Sequence, residues 1–287
     1  MELMSDQTDA YRTLEALERL GHKHEVVHDG CRLVWRSFGQ GASVVLLHGG
    51  HGSWLHWARN IEVLSQRYQL WLPDLPGYGD SDALSDPTMH ALVDATLASM
   101  TSLLGADGVI PMLGFSFGGL VSARVAARRA GQTPLALLGP GGHGGPRRPI
   151  GDLRAWRQAA QRQDGRELGE IMRHNLLMHM VHEPQAIDEL AVQIHSVSCQ
   201  RTRFASKPIS HAGGLAKLLE HHHAPLLMAW GQCDVTADPQ WAAHALSVNH
   251  ASCQTHIVPD AGHWVQYEAA QAVNQLLLDW LDAVTTR

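Results

Sequence analysis

The chain has 287 residues, 45% of them hydrophobic, which is enough to bury the core of one large α/β unit that carries an insertion. Its 22 lysine and arginine residues against 28 aspartate and glutamate residues give a net charge of −6, so no positive excess is available to bind nucleic acid. The four cysteines form no C-x-x-C pair, the start carries no apolar signal segment, and no run of about 18 apolar residues exists. We therefore expect a cytoplasmic protein without a structural zinc, a disulfide framework or a membrane partner.

The first predicted elements are a helix and a hairpin. Residues 9–20 carry leucines at helical spacing, which predicts a short, peripheral amphipathic helix. Asp29 and Gly30 then separate two extended runs, 25–28 and 32–37. This dipeptide is suited to a tight turn, so we expect two antiparallel strands at the start of a sheet.

The pattern then changes to short apolar runs that alternate with helical stretches. Such runs are typical of parallel strands buried on both faces, and their rhythm predicts an α/β fold with a mostly parallel, doubly wound sheet. The runs are residues 44–47, 70–72, 109–113, 135–138, 226–230 and 255–258.

The alternation stops after residue 138, where a glycine- and proline-rich stretch begins. Residues 150–199 contain several polar helical patterns and no strand pattern, which predicts a helical cap inserted into the sheet unit. We place the cap at residues 141–221 and the α/β core at 1–140 and 222–287. We interpret the three adjacent histidines at 221–223 as a solvated helix end, because neighbours on a helix do not face one ion.

One glycine pattern in this stretch resembles a dinucleotide-binding motif. Gly139, Gly141 and Gly144 fit G-x-G-x-x-G after a predicted strand, but Pro146 and Pro149 stand where the helix should begin. No first βα unit is involved either. We therefore interpret the segment as the hinge into the cap and expect no organic cofactor and no metal.

The strongest motif surrounds Ser116. Gly114 and Gly118 flank it in a G-x-S-x-G pattern that follows an apolar run and precedes a helical pattern at 120–129. A sharp strand-to-helix turn strains the backbone of the central residue, so its neighbours must be small. The pattern predicts that Ser116 is a nucleophile.

A serine hydroxyl needs a base, and the base needs an orienting acid. His263 lies in the loop after the last predicted strand, and Asp234 lies just after the preceding one, so the chain order is Ser, Asp, His. Asp238 and Asp260 remain alternative acids, although Asp238 before a proline is also a good helix start. The alternative bases are His244, His250 and His256.

Two backbone N–H groups should form the oxyanion hole. One is expected from Phe117, directly after the nucleophile. The other is expected from Gly50 in the glycine-rich loop that follows the first parallel strand. In the same loop His48 is interpreted as a buried, hydrogen-bonded anchor.

At these residues the chain resembles the α/β-hydrolase superfamily, and the resemblance covers nearly its whole length. Within the superfamily, residues 262–268 (GHWVQYE), 48–50 and 59–61 are similar to motifs of the meta-cleavage-product hydrolases. Those enzymes split carbon–carbon bonds in ring-opened aromatic compounds. The resemblance therefore implies a hydrolase that acts on such a compound or on a related ester.

The same resemblance suggests residues for substrate binding. In that family the tryptophan after the histidine lines the substrate site, asparagine usually precedes the nucleophile, and a cap arginine lies near the substrate's acidic end. This chain has Phe115 before the nucleophile and His195 where the cap arginine is expected. Two arginines follow slightly downstream, and a solvated surface role is the competing interpretation of these arginines. The substrate-binding candidates are Trp264, Phe115, His51, His195, Arg201 and Arg203.

These observations predict a serine hydrolase that acts on a small, moderately apolar carbonyl compound. The aromatic residues adjacent to the catalytic positions indicate a water-poor pocket. The alternative from another class is a receptor or carrier that binds a small ligand on the same fold, since a fold does not determine its function. The sequence leaves the oligomeric state open, a homo-oligomer included.

Overall fold

The computed structural model describes residues 2–129, 132–250 and 252–285, with side chains from residue 9 onwards. Within these ranges the chain forms one eight-stranded sheet with the order β1-β2-β4-β3-β5-β6-β7-β8. The first two pairs in that order are antiparallel and all the others are parallel. The strands are β1 His22–His28, β2 Cys31–Phe38, β3 Ala42–Leu47, β4 Tyr68–Pro73, β5 Met112–Phe115, β6 Leu135–Leu138, β7 Leu226–Gly231 and β8 Cys253–Val258.

Helices cover both faces of the sheet. Two short 3₁₀ helices, Trp54–Trp57 and Pro184–Ala186, complete the described elements, and none of the helices is long and apolar enough to cross a membrane. The α-helices are α1 Glu2–Leu20, α2 Ala58–Leu64, α3 Met89–Leu104, α4 Phe117–Arg128, α5 Arg157–Gln161, α6 Gly165–His179, α7 Glu189–Gln200, α8 Ser206–His211, α9 Leu215–Leu219, α10 Pro239–Ser247, α11 Val265–Glu268 and α12 Ala270–Thr285.

The predicted α/β fold is confirmed. The start of β5 and the start of α1 differ from the prediction. The hairpin turns at Asp29 and Gly30, both at positive φ, as its two-residue loop requires. β5 begins at Met112 and not at residue 109, because Pro111 has no N–H to donate and Val109 is exposed. α1 is longer than predicted, and along its described side chains Leu17 is buried, Leu14 is partly buried and Leu20 is exposed.

The core lies in two layers, one on each face of the sheet. One layer includes buried side chains of α2 and α12 together with the facing side chains of α6 and α7. The other layer contains the buried side chains of α3, α4, α9 and α10. The strands between them are buried on both faces, which explains why their sequences are continuous apolar runs.

Five helices, α5 to α9, follow β6 and precede β7, and no strand lies between them in the described residues. We call them the cap helices. α6 and α7 pack against each other and contribute Met172, Leu176 and Ile194 to the core layer that they share with the sheet. The boundaries 141 and 221 stay a prediction.

The three histidines after α9 differ from their prediction. His221 and His223 are exposed, but His222 is buried and its ring stacks on His250 with centroids 5.6 Å apart. The segment is a turn after the helix and not the helix end itself, and the turn directs the middle ring inward.

A buried charge cluster connects α1, β2 and the loop after β4. The Arg36 guanidinium, 4% exposed, contacts Glu18, Asp74 and Asp80, the last at 2.6 Å. Asp74 is also buried, and its carboxylate accepts the N–H groups of Trp54 and Asp80, both at 3.0 Å. Since Trp54 follows the loop after β3, this cluster fixes that loop to the sheet.

We predict that Asp74→Ala lowers the free energy of unfolding by about 3–5 kcal/mol, because it leaves a buried guanidinium short of a partner and two backbone donors unpaired. Urea unfolding at neutral pH measures the change. The matched control is Glu170→Ala, which removes an exposed ion pair with Arg166 and should cost less than about 1 kcal/mol. Equal losses in the two variants would contradict the prediction.

Candidate active site

Ser116 lies at the turn from β5 into α4, with φ 52° and ψ −117°. A non-glycine residue adopts this positive φ only when the surrounding structure holds it there. A Cβ on Gly114 would lie 2.6 Å from the Cα of Gly119, and one on Gly118 would collide with the carbonyl oxygens at the end of β3. The predicted need for small neighbours is therefore confirmed.

His263 and Asp234 meet Ser116 at the carboxyl edge of the sheet. His263 Nε2 lies 2.9 Å from Ser116 Oγ, and His263 Nδ1 lies 2.8 Å from Asp234 Oδ2. Asp234 is fully buried and His263 nearly so, while Ser116 keeps some accessible surface. Burial raises the pKa of Asp234, but the charge and hydrogen bond of His263 outweigh it and hold the pKa below its usual value.

The alternative acids and bases lie elsewhere. Asp238 accepts the Trp241 N–H at 3.1 Å as the N-cap of α10, as its sequence position indicates. Asp260 is exposed. Of the three other histidines considered as bases, His244 and His256 are exposed. His250 stacks on His222 in the turn after α9.

Thr236 is a member of this cluster that sequence reasoning missed. Its N–H donates to Asp234 Oδ1 at 2.7 Å, and its hydroxyl oxygen lies 3.0 Å from His263 Nδ1. Thr236 therefore fixes the carboxylate and shares the histidine proton with it. The only sequence signal was its position two residues after the predicted acid, because an aspartate side chain often accepts the backbone N–H two residues further on.

The loop after β3 places glycine backbone opposite the nucleophile. A Cβ on Gly49 would lie 3.1 Å from the Cβ of Ser116. The Gly49 N–H donates to His56 Nδ1 at 3.2 Å, so it is engaged and the N–H of Gly50 is the next donor along the loop. The N–H of Phe117 lies in the first turn of α4, where no intrahelical acceptor exists.

His48 anchors this loop in a defined tautomer. Its Nδ1–H donates to the Gly49 carbonyl at 2.8 Å, and its Nε2 accepts the Leu75 N–H at 3.0 Å. The ring is fully buried, and burial lowers its pKa to about 4. The predicted role of His48 as a buried anchor is confirmed, and its neighbour His56, whose pKa burial also lowers, is a second anchor that the sequence did not reveal.

Two histidines of the cap helices face the same region. The ring of His179, at the end of α6, lies 6.1 Å from the ring of His263 between centroids. His195 on α7 lies 3.7 Å from Cys199 Sγ, and this sulfur lies 3.9 Å from the carbonyl oxygen of His51 in the loop after β3. His51, His195 and His179 thus surround the space beside the triad, and the last of them was not predicted.

These three imidazoles are neutral at pH 7. Burial lowers the pKa of His179 to about 3 and that of His195 to about 4, and burial with nearby Arg157 and Lys207 lowers that of His51. A neutral imidazole presents one donor and one acceptor, so this wall offers hydrogen bonds but no positive charge.

Arg201 and Arg203 both have partners in the loop after β4. Arg201 Nη1 contacts Asp80 at 2.8 Å, and the Arg203 guanidinium donates to the carbonyl groups of Gly79 and Ser81. Both arginines hold the loop after β4, which gives them a structural role, and their binding of substrate stays a prediction. Their partners lie more than 120 residues earlier in the chain, which no local pattern reveals.

The two aromatic candidates are packed behind the catalytic residues. Trp264 is fully buried, stacks on Tyr267 and donates its indole N–H to the His56 carbonyl at 2.9 Å. Phe115 is also fully buried, with its ring 4.9 Å from that of His263. Neither side chain presents a surface to a ligand, so both support the site from behind and the prediction of substrate contact is corrected.

Comparisons with known proteins show the family of the chain. The profile of the alpha/beta hydrolase family matches residues 44–276. The chain is 31% identical to 2-hydroxy-6-oxo-6-phenylhexa-2,4-dienoate hydrolase of Burkholderia cepacia, over 85% of this chain and 88% of the relative. It is 28% identical to 2-hydroxy-6-oxononadienedioate/2-hydroxy-6-oxononatrienedioate hydrolase of Comamonas testosteroni, with the same coverage of 85% and 88%.

A solved structure of a thermophilic esterase from Thermogutta terrifontis has the same fold. It superposes with a TM-score of 0.71 at 24% identity, over 92% of this chain and 99% of the esterase. The fold is therefore common to enzymes named for different reactions, and the reaction has to be argued from the site.

We predict that acid destabilises the protein steeply between pH 7 and pH 5. Histidines buried in the neutral form have folded-state pKa values below the unfolded value of about 6.5, so the unfolded chain takes up protons first and stability falls as pH drops below that value. At pH 5 the fully buried His48 and His56 should each cost about 2 kcal/mol. Urea unfolding at the two pH values measures the loss.

Two substitutions test the origin of this loss. His56→Gln should show a shallower dependence on pH, whereas His90→Gln, which changes an exposed histidine on α3, should keep the slope of the unmodified protein. The same slope in all three proteins would show that buried imidazoles are not the cause.

Proposed function

Because the chain belongs to the alpha/beta hydrolase family, we propose that it is a serine hydrolase in which Ser116 attacks a carbonyl carbon, His263 is the base and Asp234 orients it. The observation that carries the proposal is the continuous hydrogen-bonded line from Ser116 Oγ through both histidine nitrogens to the buried carboxylate. A serine held at positive φ beside a histidine that is itself bonded to a carboxylate is the arrangement expected of an activated nucleophile, which supports the proposal.

The reaction then proceeds in two halves. His263 Nε2 takes the Ser116 proton as the oxygen attacks, and the N–H groups of Gly50 and Phe117 stabilise the alkoxide that forms. The protonated imidazole is stabilised by Asp234, and it returns the proton to the leaving group. Water, activated by the same histidine, releases the acyl group from Ser116.

For the substrate we propose a ring-opened aromatic compound with a carbonyl conjugated to an acidic end. Two relatives are named as hydrolases of such dienoates, and the one at 31% identity acts on the 6-phenyl compound. In a conjugated diketone the leaving carbon is stabilised by its vinylogous oxygen, so protonation by His263 at carbon completes carbon–carbon cleavage. The neutral wall of His51, His179 and His195 can hydrogen-bond these oxygens.

An ester is the second candidate. It is favoured by the engagement of the two arginines that the resemblance suggested for an acidic end, since Arg201 and Arg203 both bind the loop after β4. A neutral ester needs no cation, whereas a carboxylate is bound more tightly by one.

We further propose that residues 141–221 act as a cap that covers the site, with 1–140 and 222–287 as the catalytic core. The support is the ring of His179 at the end of α6, which lies beside the ring of His263, and the contact of Cys199 on α7 with the His51 carbonyl. Substrate would then lie between the sheet edge and these helices.

We predict that Ser116→Ala lowers kcat by about 10³-fold or more without loss of the fold, because only binding and the oxyanion donors remain. Asp234→Asn should be similarly severe, since it favours the wrong histidine tautomer, whereas Asp260→Asn is the matched control and should be mild. Steady-state rates on a ring-opened dienoate and on p-nitrophenyl esters measure the effect. Covalent labelling of Ser116 by an organophosphorus ester separates an enzyme from a carrier, which would not be labelled.

We predict that His195→Ala raises KM for the dienoate about 10-fold and leaves KM for a neutral p-nitrophenyl ester unchanged, because one hydrogen bond to a carboxylate is lost. Arg201→Ala is the control and should leave both values within about twofold, since its guanidinium pairs with Asp80. The opposite result, a dienoate effect in the arginine variant alone, would return the acid-binding role to Arg201.

A further inference from the structure

The carboxylate of Glu268, at the end of α11, accepts backbone N–H groups from two separate segments. Oε2 accepts the Gly262 N–H at 2.7 Å, directly before the triad histidine. Oε1 accepts the Glu183 N–H at 2.7 Å, and both oxygens lie 3.0 Å from the His182 nitrogen. One side chain therefore joins the histidine loop to the turn between α6 and α7.

A second bond joins the same two segments from the other side of His263. The Trp264 N–H donates to the Met180 carbonyl at 2.7 Å. A Cβ on Gly262 would lie 2.8 Å from the His182 nitrogen, so the two backbones are in direct contact. Residues 262 and 264, which flank the histidine, are thus each held by the turn at 180–183.

The opposite side of the histidine loop is closed by the acid loop. The Cys233 N–H donates to the Ala261 carbonyl at 2.8 Å, and Gly231 leaves no room for a side chain against residues 261 and 262. The segment before the cap helices contacts the acid loop too, through the Arg148 N–H to the Val235 carbonyl at 3.2 Å. The position of the histidine loop is consequently determined by the two segments that contact it, the cap turn and the acid loop.

We infer that Glu268 is a positioning residue for the triad: it transmits the position of the cap turn 180–183 to His263. Since it touches neither Ser116 nor a reacting atom, it acts through Gly262 and keeps Nδ1 within reach of Asp234. The inference rests on the proposed function, because it assumes that His263 is the base. A displacement of about 1 Å in a catalytic group can cost up to about 100-fold in rate.

The test measures how fast an organophosphorus ester labels Ser116, per folded molecule, from pH 5 to pH 9. Glu268→Gln keeps one acceptor oxygen but directs an NH₂ group at the N–H donors, and Glu268→Asp keeps the charge but shortens the reach. Both should label about 10- to 100-fold more slowly than the unmodified protein at pH 7. The midpoint of the profile should move to lower pH, because a loosened bond to Asp234 stabilises the protonated imidazole less.

A variant of the cap turn separates positioning from charge. Glu183→Pro removes the N–H that Oε1 accepts, together with a carboxylate whose partners are His182 and Gln185, and the φ of −86° at Glu183 is close to what proline adopts. Glu183→Pro should slow the labelling of Ser116 and lower the midpoint of the pH profile, as the Glu268 variants do, but by a smaller amount. Glu189→Ala is the control for the stability of the cap helices, since it removes an ion pair with Arg173 and leaves the histidine loop untouched.

The labelling rates and midpoints of the variants either support or overturn the inference. Slower labelling with a lower midpoint in both Glu268 variants and in Glu183→Pro, but not in Glu189→Ala, supports the inference. Unchanged labelling per folded molecule in the Glu268 variants overturns it, and so does a normal Glu268→Asp beside a slow Glu268→Gln, which would show an effect of charge alone. If the unmodified protein is not labelled at all, the proposed function fails instead.

Discussion

The positive φ of Ser116 is the constraint on which the site depends. Such a conformation costs roughly 1–3 kcal/mol and persists only where neighbouring groups leave no alternative. Here the neighbours are the carbonyl groups that end β3 and the backbone of α4, which meet at Gly118 and Gly114. Since β3 and β5 are adjacent parallel strands, the same contact that strains the serine also places the glycine loop opposite it. One strand pairing therefore places both Ser116 and the glycine loop that faces it.

Neutral imidazoles are the second structural principle of this site. His48 and His56 each accept a backbone N–H, which a protonated ring could not do, so burial and hydrogen bonding require the same charge state. His263 differs because a buried carboxylate lies 2.8 Å from its Nδ1. One residue type thus serves as anchor or as base, and the partner of each ring decides which.

How much the sequence revealed depended on the distance between partners along the chain. The Asp29-Gly30 hairpin, β6 and the serine turn are specified by adjacent residues, and all were predicted from local patterns. The histidine and its acid were predictable because strand order fixes their loops. Thr236, His179 and Glu268 were missed because their roles arise only when loops or helices far apart in sequence meet. Trp264 was misassigned for the same reason: its type fits a ligand, but its ring is buried and its partner is the His56 carbonyl. Local patterns also did not reveal that Arg201 and Arg203 have partners in the loop after β4.

The bonds that join the cap turn to Trp264 directly and to Gly262 through Glu268 have a consequence for protein engineering and for divergence within the family. A helical insertion that only covered a site could be exchanged between relatives as a module. Here the insertion carries part of the geometry of the base, so a grafted one would bring its own register for the histidine. New specificity obtained by recombination at residues 139 and 225 would need a matching turn at 180–183. Substitutions that accumulate in that turn would change the rate before they changed the range of substrates.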